Sequence, residues 1–62
     1  MTPKRIAEFF KTENGQKLYG IIRSEYGSGR QALKDGIMMY FCCRHSTADN
    51  AIKRMVADGF QF

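Results

Sequence analysis

Nothing in this chain can staple it covalently. Its only cysteines, Cys42 and Cys43, are neighbours, and bridging adjacent residues requires strained geometry, so no disulfide framework is available. Two unbridged thiols fit a reducing, cytoplasmic compartment. Long hydrophobic runs are missing too: the longest, Ile37 to Cys43, is seven residues, too short to span a bilayer. The N-terminal MTPKRIAEFF is basic but has no apolar h-region or small-residue cleavage site, so it does not read as a signal peptide. No membrane partner is expected. Catalytic signatures are also absent. Gly27, Gly29 and Gly36 do not follow a phosphate-loop spacing. His45, Ser46 and Asp49 would sit within one helical turn without a pocket, so no enzyme and no catalytic residue is expected. Cys42, Cys43 and His45 form a CCxH string without a fourth ligand, and neighbours on a helix diverge by about 100°. Zinc is therefore not expected, nor is any other metal or cofactor. The phenylalanines and tyrosines fall mostly at helical core spacing, which argues against stacking on single-stranded nucleic acid.

What is present is enough for one small domain. The chain has 62 residues, 44% of them hydrophobic, which sets it apart from disordered compositions. A chain this short buries only about 60% of its unfolded surface, so its stability is marginal. The formal net charge is +4 and the pI about 9.4, values that permit a nucleic acid or an acidic protein as partner. The excess is spread out. Residues 1–31 hold six basic and three acidic side chains, and residues 32–62 hold four and three.

Periodicity predicts helices throughout. Thr2 followed by Pro3 starts a helix that runs to about Lys11 and turns Ile6, Phe9 and Phe10 inward. Asn14-Gly15 breaks it, and Asn14 can cap a second helix over Gly15 to Glu25 with Leu18, Ile21 and Ile22 on its apolar face. Ser28 and Gln31 have the spacing of a capping box for a third helix, from about Gly29 to Arg44. Its second half, IMMYFCC, is apolar on every side; helix is favoured over a buried strand, although Gly36 could end a shorter helix at Asp35. The last helix is the best specified. Ala48, Ala51, Ile52, Met55 and Val56 make a core-facing stripe, Ser46 or Thr47 can cap its start, and Gly59 suits a left-handed stop with Phe60 touching Met55. Gly59-Phe60-Gln61-Phe62 alternates and could form a short C-terminal strand. The fold class is all-α: three or four helices with that possible strand.

Residues 33–59 resemble a helix-turn-helix unit: a buried helix ending near Cys42, a short turn, and a capped second helix. Ile37, Phe41, Cys43, Ala48, Ala51 and Ile52 match the family's apolar frame, and the ending RMVADGF looks like the end of winged-helix recognition helices. Family members usually carry a small residue where this chain has Met38 and a glycine where it has Cys42, which implies a looser helix approach and a different turn conformation. With the chain stopping at Phe62, no wing hairpin is expected to close within one subunit.

The resemblance implies double-stranded DNA as partner, read by the helix over 47–58. Ser46 and Thr47 would bond phosphates at the helix start. Asn50 would offer its amide to adenine, and Lys53 or Arg54 would contact guanine or phosphate. Arg44 and His45 would touch the backbone, with further basic contacts from Lys4, Arg5, Arg30 and Lys34. Asp49 opposes phosphate, and with Asp58 it cancels the charge of Lys53 and Arg54. The same residues also make an ordinary solvated helix face. Met38, Met39, Tyr40 and Phe41 are more apolar surface than a small core can hide, so a homodimer interface is expected there. The alternative is a protein-binding modulator or inhibitor that uses this band against an acidic protein, with no nucleic-acid contact.

Overall fold

The computed structural model describes residues 1–60, and these form four helices: α1 (Pro3–Phe9), α2 (Glu13–Tyr26), α3 (Arg30–Phe41) and α4 (His45–Ala57). No strand occurs among the described residues, and the rest of the alternating C-terminal stretch, residues 61 and 62, lies outside them. α4 packs against α1 on one side and α3 on the other, and α3 packs in turn on α2.

The α1–α2 corner differs from expectation by a few residues, for a local reason. Thr2 accepts a hydrogen bond from the Arg5 N–H at 3.3 Å and caps α1. The helix tightens after Phe9, where the N–H groups of Lys11 and Thr12 bond the carbonyls of Glu8 and Phe9 at 3.0 Å, the short-range pattern that closes many helix ends. Thr12, not Asn14, then caps α2. Its hydroxyl donates to the Phe9 carbonyl at 2.6 Å and accepts from the Gly15 N–H at 3.1 Å. Gln16 donates from Nε2 to the Phe10 carbonyl at 2.7 Å. Gly15 lies in the first turn of α2 and is needed for steric reasons: a Cβ there would stand 2.0 Å from the Phe9 carbonyl oxygen.

The N-cap of α3 is Gly29 rather than Ser28. No side chain caps it, and Gln31 bonds Asp35 at 3.1 Å instead of reaching back. The apolar stretch is helical as far as Phe41, three residues short of Arg44. Gly36 does not end the helix. It is buried where α2 crosses, and a Cβ would meet Ile22 Cγ2 at 2.5 Å. Tyr40 donates to the Glu25 carboxylate, tying α3 to the end of α2. That hydrogen bond first, then partial desolvation and the carboxylate charge, raise the phenol above its ordinary value.

The core consists of Ile6, Ala7 and Phe10 from α1 and its end, Ile22 from α2, Leu33 and Ile37 from α3, and Ala48, Ala51, Ile52 and Met55 from α4. Fully burying a residue such as Phe10 or Ile52 stabilises the fold by about 1.5–3 kcal/mol. A chain of aromatic rings runs along one side. Phe41 meets Phe9 at 5.7 Å and Phe10 at 6.0 Å, Phe10 meets Phe60 at 6.3 Å, and Phe60 meets Tyr19 at 5.1 Å. Two residues expected inside are outside: Ile21 and Val56 are each 46% exposed. The helices that cover their faces approach through Ile22 and Ile52, and each stripe is one residue narrower than its pattern suggested.

Gly15→Ala should lower stability by about 1–3 kcal/mol, because the helix ends must separate. Gly20→Ala, whose Cβ would meet nothing within 4 Å, should instead raise it by about 0.5–1 kcal/mol. Urea unfolding of both variants checks this contrast. In an ultraviolet titration the Tyr40 phenol should ionise above 10.0, and Glu25→Gln should bring it back. The folded value is the raised one, so the stability it contributes is present below pH 10.0 and is lost as pH rises through the folded value.

Candidate nucleic-acid interface

α4 owes its position to a buried stripe of small and large apolar residues. Ala48, Ala51 and Ile52 are fully buried and Met55 nearly so. The opposite side carries Ser46, Asn50 and Lys53, all exposed, with Arg54 exposed at its edge.

The two ends of α4 are built differently. At the C-terminus the Phe60 N–H bonds the Met55 carbonyl at 2.9 Å and the Gly59 N–H bonds Val56 at 3.0 Å. Gly59 holds φ at +93°. This is the Schellman arrangement expected from the sequence. The start was expected to be capped by Ser46 or Thr47, but the N-cap is Arg44, in extended conformation, and no side chain bonds the first turn. The N–H groups of His45, Ser46 and Thr47 therefore lack a side-chain acceptor among the described residues, next to the side chains of Arg44 and His45. Such an end favours anions, because unpaired N–H groups and the helix dipole act together.

The turn between α3 and α4 is Cys42 to Arg44. The expected departure in its conformation is not found: Cys42 itself takes the left-handed geometry, φ 52° and ψ 45°, that a glycine would supply. For a non-glycine residue that costs about 1–2 kcal/mol. The Cys43 thiol donates weakly to the Ile37 carbonyl at 3.8 Å, and burial pushes the thiol up, away from the reactive thiolate.

Tertiary structure changes the charge of the outward face. Asp49 is paired with Lys34 of α3 at 3.2 Å, and Asp58 with Lys11 at 3.1 Å. Both carboxylates that cancelled the helix charge are thus matched by lysines from other parts of the chain. Arg44, Lys53 and Arg54 make no ion pair among the described residues. Sequence reasoning missed this compensation because the partners lie 15 and 47 positions apart, with no local pattern to link them. It also counted Lys34 as a free basic contact; the pair with Asp49 occupies it. On the α1 side Arg54 shares an open groove with Lys4, Lys11 and Glu8.

Of the predicted DNA contacts, Arg44, His45, Ser46, Asn50, Lys53 and Arg54 are exposed, and Thr47 is half-buried. The apolar band divides. Ile37 is fully buried and Phe41 is drawn into the aromatic chain, whereas Met39 is 65% and Tyr40 43% exposed, with Met38 half-buried. Among the described residues no group of three or more histidine, cysteine or acidic side chains could hold a metal ion, and no helix is long and apolar enough to cross a membrane.

Comparison with protein-family models, with curated proteins and with solved structures found no match.

Replacing Gly59 by alanine should lower stability by about 1–2 kcal/mol, the cost of a left-handed residue with a Cβ. Chemical denaturation should show a shifted midpoint with an unchanged slope.

Proposed function

We propose that the chain is a small DNA-binding protein of transcriptional-regulator type that reads duplex DNA with the outward face of α4. The observation that carries this reading is the pairing of Asp49 and Asp58 by Lys34 and Lys11. It leaves Arg44, Lys53 and Arg54 as uncompensated cations around Ser46 and Asn50. The uncapped start of α4 supports the same reading, since its N–H groups suit a phosphate. Asn50 supplies the bidentate amide that adenine recognition needs, and Lys53 and Arg54 supply donors for guanine or phosphate. Three-residue spacing between α3 and α4, with a left-handed residue in the turn, fits the helix-turn-helix resemblance.

A homodimer completes the proposal, because one helix covers one half-site and two-fold pairing presents a second. Met39 and Tyr40 are its nearest apolar contacts. They do not suffice alone: a standard interface takes about 800 Å² per partner, about a fifth of the 4067 Å² surface of this chain. The exposure of Met39 and Tyr40 also favours the second reading, a modulator that binds another protein through this band.

Fluorescence anisotropy on a mixed-sequence duplex separates the two. Binding should weaken steeply as salt rises, with the log–log slope falling by about one for each phosphate-contacting cation removed. Lys53→Ala with Arg54→Ala should abolish discrimination. Lys34→Gln, which frees the Asp49 charge, should weaken binding without altering a contact residue. Absence of binding at low salt would reject the DNA reading and leave the protein-binding one. Sedimentation tests the dimer, which a monomer at high concentration would remove.

A further inference from the structure

Beside the end of α3 lies a feature that the proposed DNA contacts do not use. An open groove of about 490 Å³ is lined by Tyr26, Asp35, Met38, Met39, Cys42 and Cys43. Four of those six side chains end in or contain sulfur. They come from a single stretch: Met38 and Met39 stand in the last turn of α3, and Cys42 and Cys43 in the turn that follows it, and all four border the same opening. The last turn carries the thiols round to the same opening. Cys42 Sγ lies 3.8 Å from the Met39 carbonyl, and Cys43 Sγ 3.8 Å from that of Ile37. Both thiols are free, and Cys42 is exposed.

We infer that this groove is a binding site for copper(I), held by thiolate from Cys42 and Cys43 and by thioether from Met38 and Met39. The donor chemistry selects the metal. Thioethers are poor ligands for calcium, magnesium or zinc, and no group of three or more histidine, cysteine or acidic side chains that could hold such an ion occurs among the described residues. Soft sulfur donors select copper(I), which is content with few ligands and an incomplete shell. Asp35 at the groove lined by these sulfurs adds a negative charge that favours a cation. Tyr26 lines the same groove. Binding is simple ligation: each participating thiol gives its proton to solvent as its Cu–S bond forms, and nothing is oxidised or reduced. None of the four sulfur residues is among the proposed DNA contacts, so the site does not depend on the DNA reading.

Anaerobic competition with a chromogenic copper(I) chelator tests the site on the full, reduced chain. The protein should withdraw one copper per chain, while zinc(II) under the same conditions should not bind. Cys42→Gly relaxes the left-handed turn, so it should keep the fold, as circular dichroism and urea unfolding will show, and yet lose the copper. Cys43→Ser should lose it as well. Met38→Leu with Met39→Leu keeps both thiols and should leave most of the metal with the chelator. Failure of the unaltered chain to withdraw copper would overturn the site. So would full retention by Cys42→Gly or by the double methionine variant, or one copper shared between two chains.

Discussion

Everything about this domain depends on how α4 is wedged between α1 and α3. Two alanines, Ala48 and Ala51, are buried on the inward face together with Ile52 and Met55. A helix held on both sides has only one face to offer, and its identity follows from the buried stripe by simple rotation. Ser46, Asn50 and Lys53 are outward because the alanines are inward. The placement also brings Lys34 and Lys11 within reach of Asp49 and Asp58. Exposed pairs contribute only about 0–1 kcal/mol each to stability. Their larger effect is on the potential that an approaching anion meets, since they remove negative charge from a surface that would otherwise be neutral.

Glycine serves this fold in two unrelated ways. Gly15 and Gly36 are places where one backbone or side chain must come closer to another helix than a methyl group allows. Gly59 is a place where the chain must turn left-handed to stop a helix. Cys42 turns left-handed without that help, so the corner between α3 and α4 stores strain that a glycine would release. Strain of this kind is often kept where a side chain does something a glycine could not, and here the side chain is a thiol at the mouth of a sulfur-lined groove.

The amino-acid pattern carried the helices well and their ends less well. Thr2-Pro3, the Ala48–Met55 stripe and the Gly59 stop are local signals, each decided within a turn of helix, and each was readable. The starts of the other three helices were not. Thr12 displaced Asn14, and Gly29 and Arg44 displaced Ser28 and Ser46, because several residues in each stretch could cap and only tertiary packing chose between them. Ile21 and Val56 were misplaced for a related reason: periodicity gives the centre of a buried face, but the width of that face depends on how closely the neighbouring helix lies. The outward residues of the candidate site were legible from rotation alone. Its charge was not, because the ion pairs that determine it span 15 and 47 positions.

The ring of Phe60 has a consequence for the order in which the domain can be made. It is seated between Phe10, at the end of the first helix, and Tyr19, in the second, while α1 finds its main helical partner in α4. α1 thus lacks its main helical partner until α4 has been made. α2 and α3 can pair early and Phe41 can already meet Phe9 and Phe10, but the surface of α1 that α4 covers waits open to water. Synthesis at about 5–20 residues per second shortens that wait to a few seconds. During it the nascent chain is held together by its middle rather than by its beginning, and residue 60 closes the core.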